Sequence, residues 1–289
     1  MYFCENNANY TVNSTYERNL DTTLSALPTT TNGFGFYNLS TGLGNDRVNS
    51  AALCRGDINP VLCRSCLNES IVTLRQRCPN QKQAVIYYDY CLLKYSNETV
   101  LGITGFKFSV YLANPENTTD VDRFYGALRP LLSRLRGDAA AGGSLQKFAS
   151  GNTSVMGLPM IHALVQCTPD LLEQQCSECL MDAMGYITQL LDRKVGGRIL
   201  LQMCNFRYES YGFFNLSTLN NQEASLHNQV GLMPEKALAV RRGRRVADAG
   251  EGVEHDRHSF VIFVKRSQLM REKKGREKRA GNEGKYLGK

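Results

Sequence analysis

The stretch CRGDINPVLCRSC, residues Cys54 to Cys66, recurs as CTPDLLEQQCSEC, residues Cys167 to Cys179. The spacing Cys-x8-Cys-x2-Cys is kept in both, and the surroundings agree. Each copy runs on to a further cysteine in a Cys-x2-basic-Tyr context, CLLKY from Cys91 and CNFRY from Cys204. Self-similarity at this depth makes the chain two copies of one structural unit.

Hydrophobic periodicity gives each copy the same elements. Leu20, Leu24 and Leu27, stopped by Pro28, predict a first helix; Phe124, Leu128, Leu131, Leu132 and Leu135, behind Asp120 and Asp122, predict its counterpart. A second helix is expected after each Cys-x2-Cys, over Leu67–Leu74 and Leu180–Leu191. Ala84–Lys94 and Arg198–Tyr208 alternate like strands. The expected class is α+β: two small disulfide-stapled domains, each an antiparallel sheet with two helices. Boundaries fall at 1–101 and 102–216, leaving 217–289 as a basic tail.

Ten cysteines need a redox compartment. The acceptor pattern Asn-x-Ser/Thr occurs at Asn9, Asn13, Asn38, Asn68, Asn97, Asn117, Asn152 and Asn215, never with proline in the middle. Eight such signals beside ten cysteines point to the secretory route and to disulfides. Zinc is the rival, since Cys63/Cys66 and Cys176/Cys179 have ligand spacing, but each unit offers one close pair where a structural site needs two. The chain opens Met1-Tyr2-Phe3-Cys4 without a basic start or apolar core, so a signal segment is expected to be missing from this sequence. The one late apolar run, Phe260–Val264, is too short for a helical membrane span of roughly 20 residues.

The tail has neither cysteine nor acceptor asparagine. Residues 218–289 hold 16 of the 34 Lys+Arg and 9 of the 27 Asp+Glu, so the first 217 residues balance at 18 against 18. Clusters at Arg241–Arg245 and Arg271–Arg279 have the composition of an anionic-surface patch, although interleaved Glu weakens the field and a secreted chain rarely meets nucleic acid. The tail is expected to be disordered read-through.

The doubled cysteine motif, the stretch GRILLQMCNFRYE over Gly197–Glu209 and NSTYERNL over Asn13–Leu20 resemble the ginkbilobin-type domain of plants, also called the salt stress response/antifungal domain. The resemblance covers residues 1–216, and the tandem arrangement resembles cysteine-rich repeat secretory proteins and the ectodomains of cysteine-rich receptor-like kinases. It implies a small antiparallel sheet carrying two helices. It also implies the pairing Cys4–Cys78, Cys54–Cys63 and Cys66–Cys91 in the first unit. The second unit lacks counterparts of Cys4 and Cys78, which are partners of one another, so Cys167–Cys176 and Cys179–Cys204 remain.

For function, the resemblance implies an extracellular, apoplastic binding or receptor-ectodomain module in plant defence or stress signalling, with a mannose-type glycan or a protein co-receptor as partner. Plasma-membrane placement follows if the full gene product is a receptor-like kinase. Two alternatives stand beside it: an antifungal mannose-binding lectin, and the truncated product of a receptor-like serine/threonine kinase gene lacking its kinase domain. The family's mannose residues map to Asn114, Arg198 and Glu209 in the second unit and to Glu5, Val85 and Ser96 in the first, so only the second has the chemistry. Amide, guanidinium and carboxylate can share the paired hydroxyls of a hexose. The same Arg and Glu can equally form a structural ion pair.

No cofactor, metal, nucleic acid or catalytic group is expected. His162 is the one histidine inside a unit and reads as packing, while His255-x2-His258 beside Asp256 has metal spacing without a fold to hold it. No nucleophile elbow, phosphate loop or kinase signature is present. Asp/Glu pairs within the units read as solvated faces. The oligomeric state is not encoded in the spacing.

Overall fold

A computed structural model describes residues 1–5, 9–29, 35–102, 108–143, 146–214 and 260–265. The first unit contains β1 (Tyr2–Cys4), α1 (Thr15–Ala26), β2 (Phe36–Thr41), β3 (Val48–Cys54), α2 (Pro60–Arg77), β4 (Ala84–Tyr87) and β5 (Cys91–Ser96). Its antiparallel sheet runs β1-β4-β5-β3-β2. The second contains β6 (Phe108–Ala113), α3 (Val121–Ala140), β7 (Lys147–Val155), β8 (Leu158–Cys167), α4 (Glu173–Met184), α5 (Ile187–Leu190), β9 (Gly197–Leu201) and β10 (Cys204–Glu209). Its sheet has the corresponding order β6-β9-β10-β8-β7. The fold is α+β, with two antiparallel sheets each carrying helices.

Local chemistry sets the helix starts. Ser14 Oγ accepts from Glu17 N to begin α1, and Asp120 Oδ1 accepts from Arg123 N to begin α3. The second helices differ from expectation. They contain the Cys-x2-Cys rather than follow it, because Asn59 caps α2 through Leu62 N at 2.9 Å and Pro60 supplies a preset first turn. Cys63 and Cys66 therefore lie one turn apart on one helix face. The Leu180–Leu191 stretch is also broken, with α4 ending at Met184 and α5 resuming at Ile187. Each expected strand is a hairpin, turning at Tyr88–Tyr90 and at Gln202–Met203.

That helix phase explains the disulfides. Cys54 and Cys91 are cross-strand partners in β3 and β5, as Cys167 and Cys204 are in β8 and β10. Cys63 and Cys66 reach one strand each, with Cα separations of 5.6 and 6.1 Å; Cys176 and Cys179 do the same at 5.8 and 6.1 Å. Cys4–Cys78 adds a staple from β1 to the end of α2. All ten cysteines are bonded, so the Cys-x2-Cys pairs have no thiolates for zinc.

The staple missing from the second unit has been replaced by packing. Cys4 pairs with Ala84, and Ala113 pairs with Gly197, seven residues before the closing cysteine as Ala84 is. Cys78 and Leu191 both lie thirteen residues before that cysteine. Ala113 and Leu191 therefore stand where Cys4 and Cys78 stand. Leu191 is fully buried, and its methyl groups lie against Gly197, where an added Cβ would fall 2.6 Å from Cδ1.

The central strands are buried on both faces. Ala52, Cys54, Ala84, Ile86, Leu93 and Tyr95 face the helices of the first unit. Their alternates Ala51, Leu53, Val85, Tyr87 and Leu92 join Val110 and Leu200 of the second sheet in one apolar cluster. The two sheets thus pack face to face through their inner surfaces.

The tail departs from the expectation of disorder at one place. Phe260–Lys265 forms β11, antiparallel on the outer edge of β6, where it supplies that edge with backbone partners. The rest of the tail, including His255, Asp256, His258 and both basic clusters, lies outside the described residues. No helix among the described residues is long and apolar enough to cross a membrane.

Candidate functional site at the joint between the sheets

The positions that share a face with the apolar cluster also carry charge. Arg198 has the parity of Leu200, the register of β10 on β9 puts Arg207 and Glu209 on that same face, and Lys94 has the parity of Leu92, so strand alternation aims all four at the opposite sheet. Arg198 and Arg207 are directly paired across β9 and β10. Like charges in that arrangement repel unless an anion lies between them.

Asp89, at the tip of the β4–β5 turn of the first unit, is that anion. Its Oδ1 accepts from Arg198 Nη1 and, at 3.3 Å, from Arg207 Nη1; its Oδ2 accepts from Arg55 Nη1 at 3.2 Å. Arg198 also donates to the Tyr88 and Asp89 carbonyls. Burial alone would raise the Asp89 pKa, but the charges of Arg198, Arg55 and Arg207 outweigh it and hold it below the ordinary value. Burial pulls Arg198 down to about 10, partly offset by Asp89, which leaves it charged at neutral pH. Asp89 keeps 44% of its side chain exposed, so this cluster sits at the margin of the joint.

Two further carboxylates complete the charge balance. Asp57 grips Arg55 in a two-point pair at 2.6 and 2.9 Å, and Glu209 accepts from Arg207 Nε at 3.0 Å. Both acids are buried. Gly196 makes room for Glu209, since a Cβ there would fall 1.8 Å from Glu209 Oε2. The segment after β10 closes the cluster: Phe213 places its ring 4.3 Å from the Arg207 guanidinium and its carbonyl 3.1 Å from Arg55 Nη2, while Tyr211 accepts from Arg207. The joint also carries neutral contacts, from Gln166 Nε2 to the Cys54 carbonyl and from Gln146 Nε2 to the Gly56 carbonyl.

The mannose trio is thereby placed. Asn114 donates to Glu209 Oε2 at 3.2 Å, so these two are together. Arg198 turns away to Asp89, and Arg207 takes the ion pair with Glu209 that sequence reasoning allowed to Arg198. Asn114 aligns with Glu5 by strand register as well as by sequence. Asp89, Arg55, Asp57 and Arg207 were not singled out from the sequence, because their partners lie across the joint or in another loop.

The joint has a second, weaker end related to the first by the repeat. Lys94 is the counterpart of Arg207, and Gln202 of Asp89. Lys94 Nζ reaches the Gln202 carbonyl at 3.4 Å and is 6% exposed. Burial lowers its pKa to about 8, with Asp170 opposing the shift. Between pH 8 and 10 the unfolded chain keeps the Lys94 proton that the folded chain releases, so stability rises with pH, by up to about 1–3 kcal/mol. Above pH 10 the slope reverses, because burial holds Tyr16, Tyr87 and Tyr95 above the ordinary tyrosine value. Lys94→Met is expected to flatten the rise and to stabilise the protein at neutral pH, as urea midpoints across pH 6–10 would measure. An unchanged pH profile would remove Lys94 as its source.

A disulfide-stapled pair of sheets locked by a charge cluster defines a tandem cysteine-rich module. The chain belongs to the salt stress response/antifungal family, whose profile matches residues 3–98 and 112–211. It is 40% identical over 220 residues to cysteine-rich receptor-like protein kinase 25 of Arabidopsis thaliana, covering 74% of this chain and 32% of the relative. It is 40% identical over 204 residues to cysteine-rich repeat secretory protein 38 of the same plant, covering 71% and 81%. It is also 38% identical to an antimicrobial ginkbilobin-2-like protein of Castanea crenata, covering 73% and 87%. The chain thus spans about a third of the receptor-like kinase and most of the two shorter relatives. In fold it is similar to the tandem DUF26 ectodomains of the Arabidopsis receptor-like proteins PDLP8 (TM-score 0.64, 22% identity, 73% of this chain and 98% of that one) and PDLP5 (TM-score 0.60, 24% identity).

Proposed function

We propose that the protein is an extracellular recognition module of plant defence or stress signalling, and that it binds its partner with the two units acting as one body. The observation carrying this reading is the joint around Asp89. Arginines from both units converge on one carboxylate, which fixes the outer loops and helices of two units into one composite surface. Five disulfides suit an oxidising compartment. Six of the acceptor asparagines, Asn9, Asn13, Asn38, Asn68, Asn117 and Asn152, are exposed; Asn97 is half-buried, and Asn215 lies outside the described residues. Glycans there would leave both sheets undisturbed.

The lectin reading is the alternative that the contact between Asn114 and Glu209 favours. It requires Arg198 to leave Asp89 for the sugar, which makes retention by mannan the discriminating measurement. The intact protein is expected to pass through a mannan column unretained. Retention that is lost in Asn114→Ala, with the fold unchanged, would replace the protein-partner reading with the lectin. Asn114 suits this test better than Arg198, whose removal also disturbs the joint. The reading as a truncated receptor-like kinase draws on the 32% coverage of that relative, and transcript sequence downstream of codon 217 tests it.

A further inference from the structure

A sheet edge invites pairing with another chain unless something blunts it. The described edges are treated unequally. In the first unit β1 is three residues long, and β2 carries the exposed Asn38 acceptor site. In the second, β7 is irregular between Thr153 and Val155 and begins at Lys147. The remaining edge, β6, has none of these devices. It is FSVYLA over Phe108–Ala113, six residues without charge or proline, paired on its inner side with β9 over Ser109–Ala113. Its counterpart by register is the three-residue β1.

That unblunted edge is the one that β11 covers. All six residues of β11 are in register with all six of β6, from Phe260 opposite Ala113 to Lys265 opposite Phe108. The covering sequence FVIFVK is β-branched and aromatic throughout, ending in the lysine that typically marks a guarded edge. Phe214 and Phe260 are joined by 45 residues, a chain length of at most about 150–160 Å at full extension. Covalent linkage makes the pairing of β11 with β6 intramolecular, which favours it over pairing with a second copy in dilute solution.

We propose that the outer edge of β6 is a strand-acceptor surface whose competing partner is the β6 edge of a second copy, and that Phe260–Lys265 guards it in cis. The tail thereby holds the module monomeric, and displacing it allows two copies to join their second sheets edge to edge. The ladder would be antiparallel, as a two-fold axis between identical edges requires.

The experiment uses the full chain and its Val261→Pro/Ile262→Pro variant. Alternate residues of an antiparallel strand face a given neighbour, so one of two consecutive prolines must remove a donor aimed at β6. Hydrogen exchange over residues 108–113 and light scattering at micromolar concentration are read together. The expected result is a wild-type monomer with protected β6 amides, and a variant that dimerises at least tenfold more tightly. A synthetic peptide of residues 260–265 added in trans should return the variant to monomer. Equal β6 exchange in both proteins, a variant with faster-exchanging β6 that stays monomeric, or self-association that the peptide does not reverse would each overturn the proposal. Intact disulfides and near-ultraviolet dichroism verify that the variant is folded.

Discussion

Asp89→Ala is expected to lower stability by about 2–3 kcal/mol and to separate one thermal transition into two. Breaking a buried ion pair by removing one partner typically costs about 3–5 kcal/mol, because the other charge is left uncompensated. Here three guanidinium groups lose a shared acceptor, and two of them are directly paired cross-strand neighbours. The figure is reduced because Asp89 is 44% exposed, so water and counterions reach the vacated position. For the same reason, added salt should recover part of the loss. Asp89→Asn keeps the shape and the carbonyl acceptor but not the charge, and it should fall between wild type and alanine. Calorimetry checks the claim. A single transition at the wild-type temperature would mean that apolar packing alone holds the sheets.

Leu191→Ala is expected to cost about 2–5 kcal/mol, confined to the second unit. Leu191 is fully buried against Gly197, at the position where the first unit has the Cys4–Cys78 disulfide to hold the end of its helix. The reciprocal experiment restores the covalent solution. Ala113→Cys/Leu191→Cys should oxidise spontaneously, since the counterpart pair in the first unit bridges a Cα separation of 5.3 Å. A staple of this kind typically adds about 2–4 kcal/mol. Non-reducing peptide mapping and the unfolding midpoint would test both parts. Two persistent free thiols would show that the positions do not correspond.

The scaffold was legible because cysteine spacing and helix phase carry it locally. Cys54, Cys63, Cys66 and Cys91 appear in order with their counterparts, and the pairing implied by family resemblance is the pairing found. The early start of α2 was legible too, since Asn59-Pro60 is a cap followed by a first-turn proline, but the apolar run beginning at Leu67 drew more weight. The central strands β3 and β8 escaped because a strand covered on both faces loses clean alternation. The joint was hidden for a different reason. Arg207 and Asp89 are 118 residues apart, and nothing near either one announces the other. Phe260–Val264 is too short for a membrane span, yet its five β-branched and aromatic residues are enough for a strand.

The five disulfides all close within one unit or the other, and none crosses the joint. This matters when the chain is pulled from its ends, as a molecule attached at one end and bound at the other would be. Covalent loops resist extension, so the units should survive tension that parts the two sheets. The arginines around Asp89 are held by short-range contacts that fail abruptly once separated, and the intact halves can rejoin when the load is released. The joint would then act as a mechanical fuse, yielding first and resetting without refolding either half.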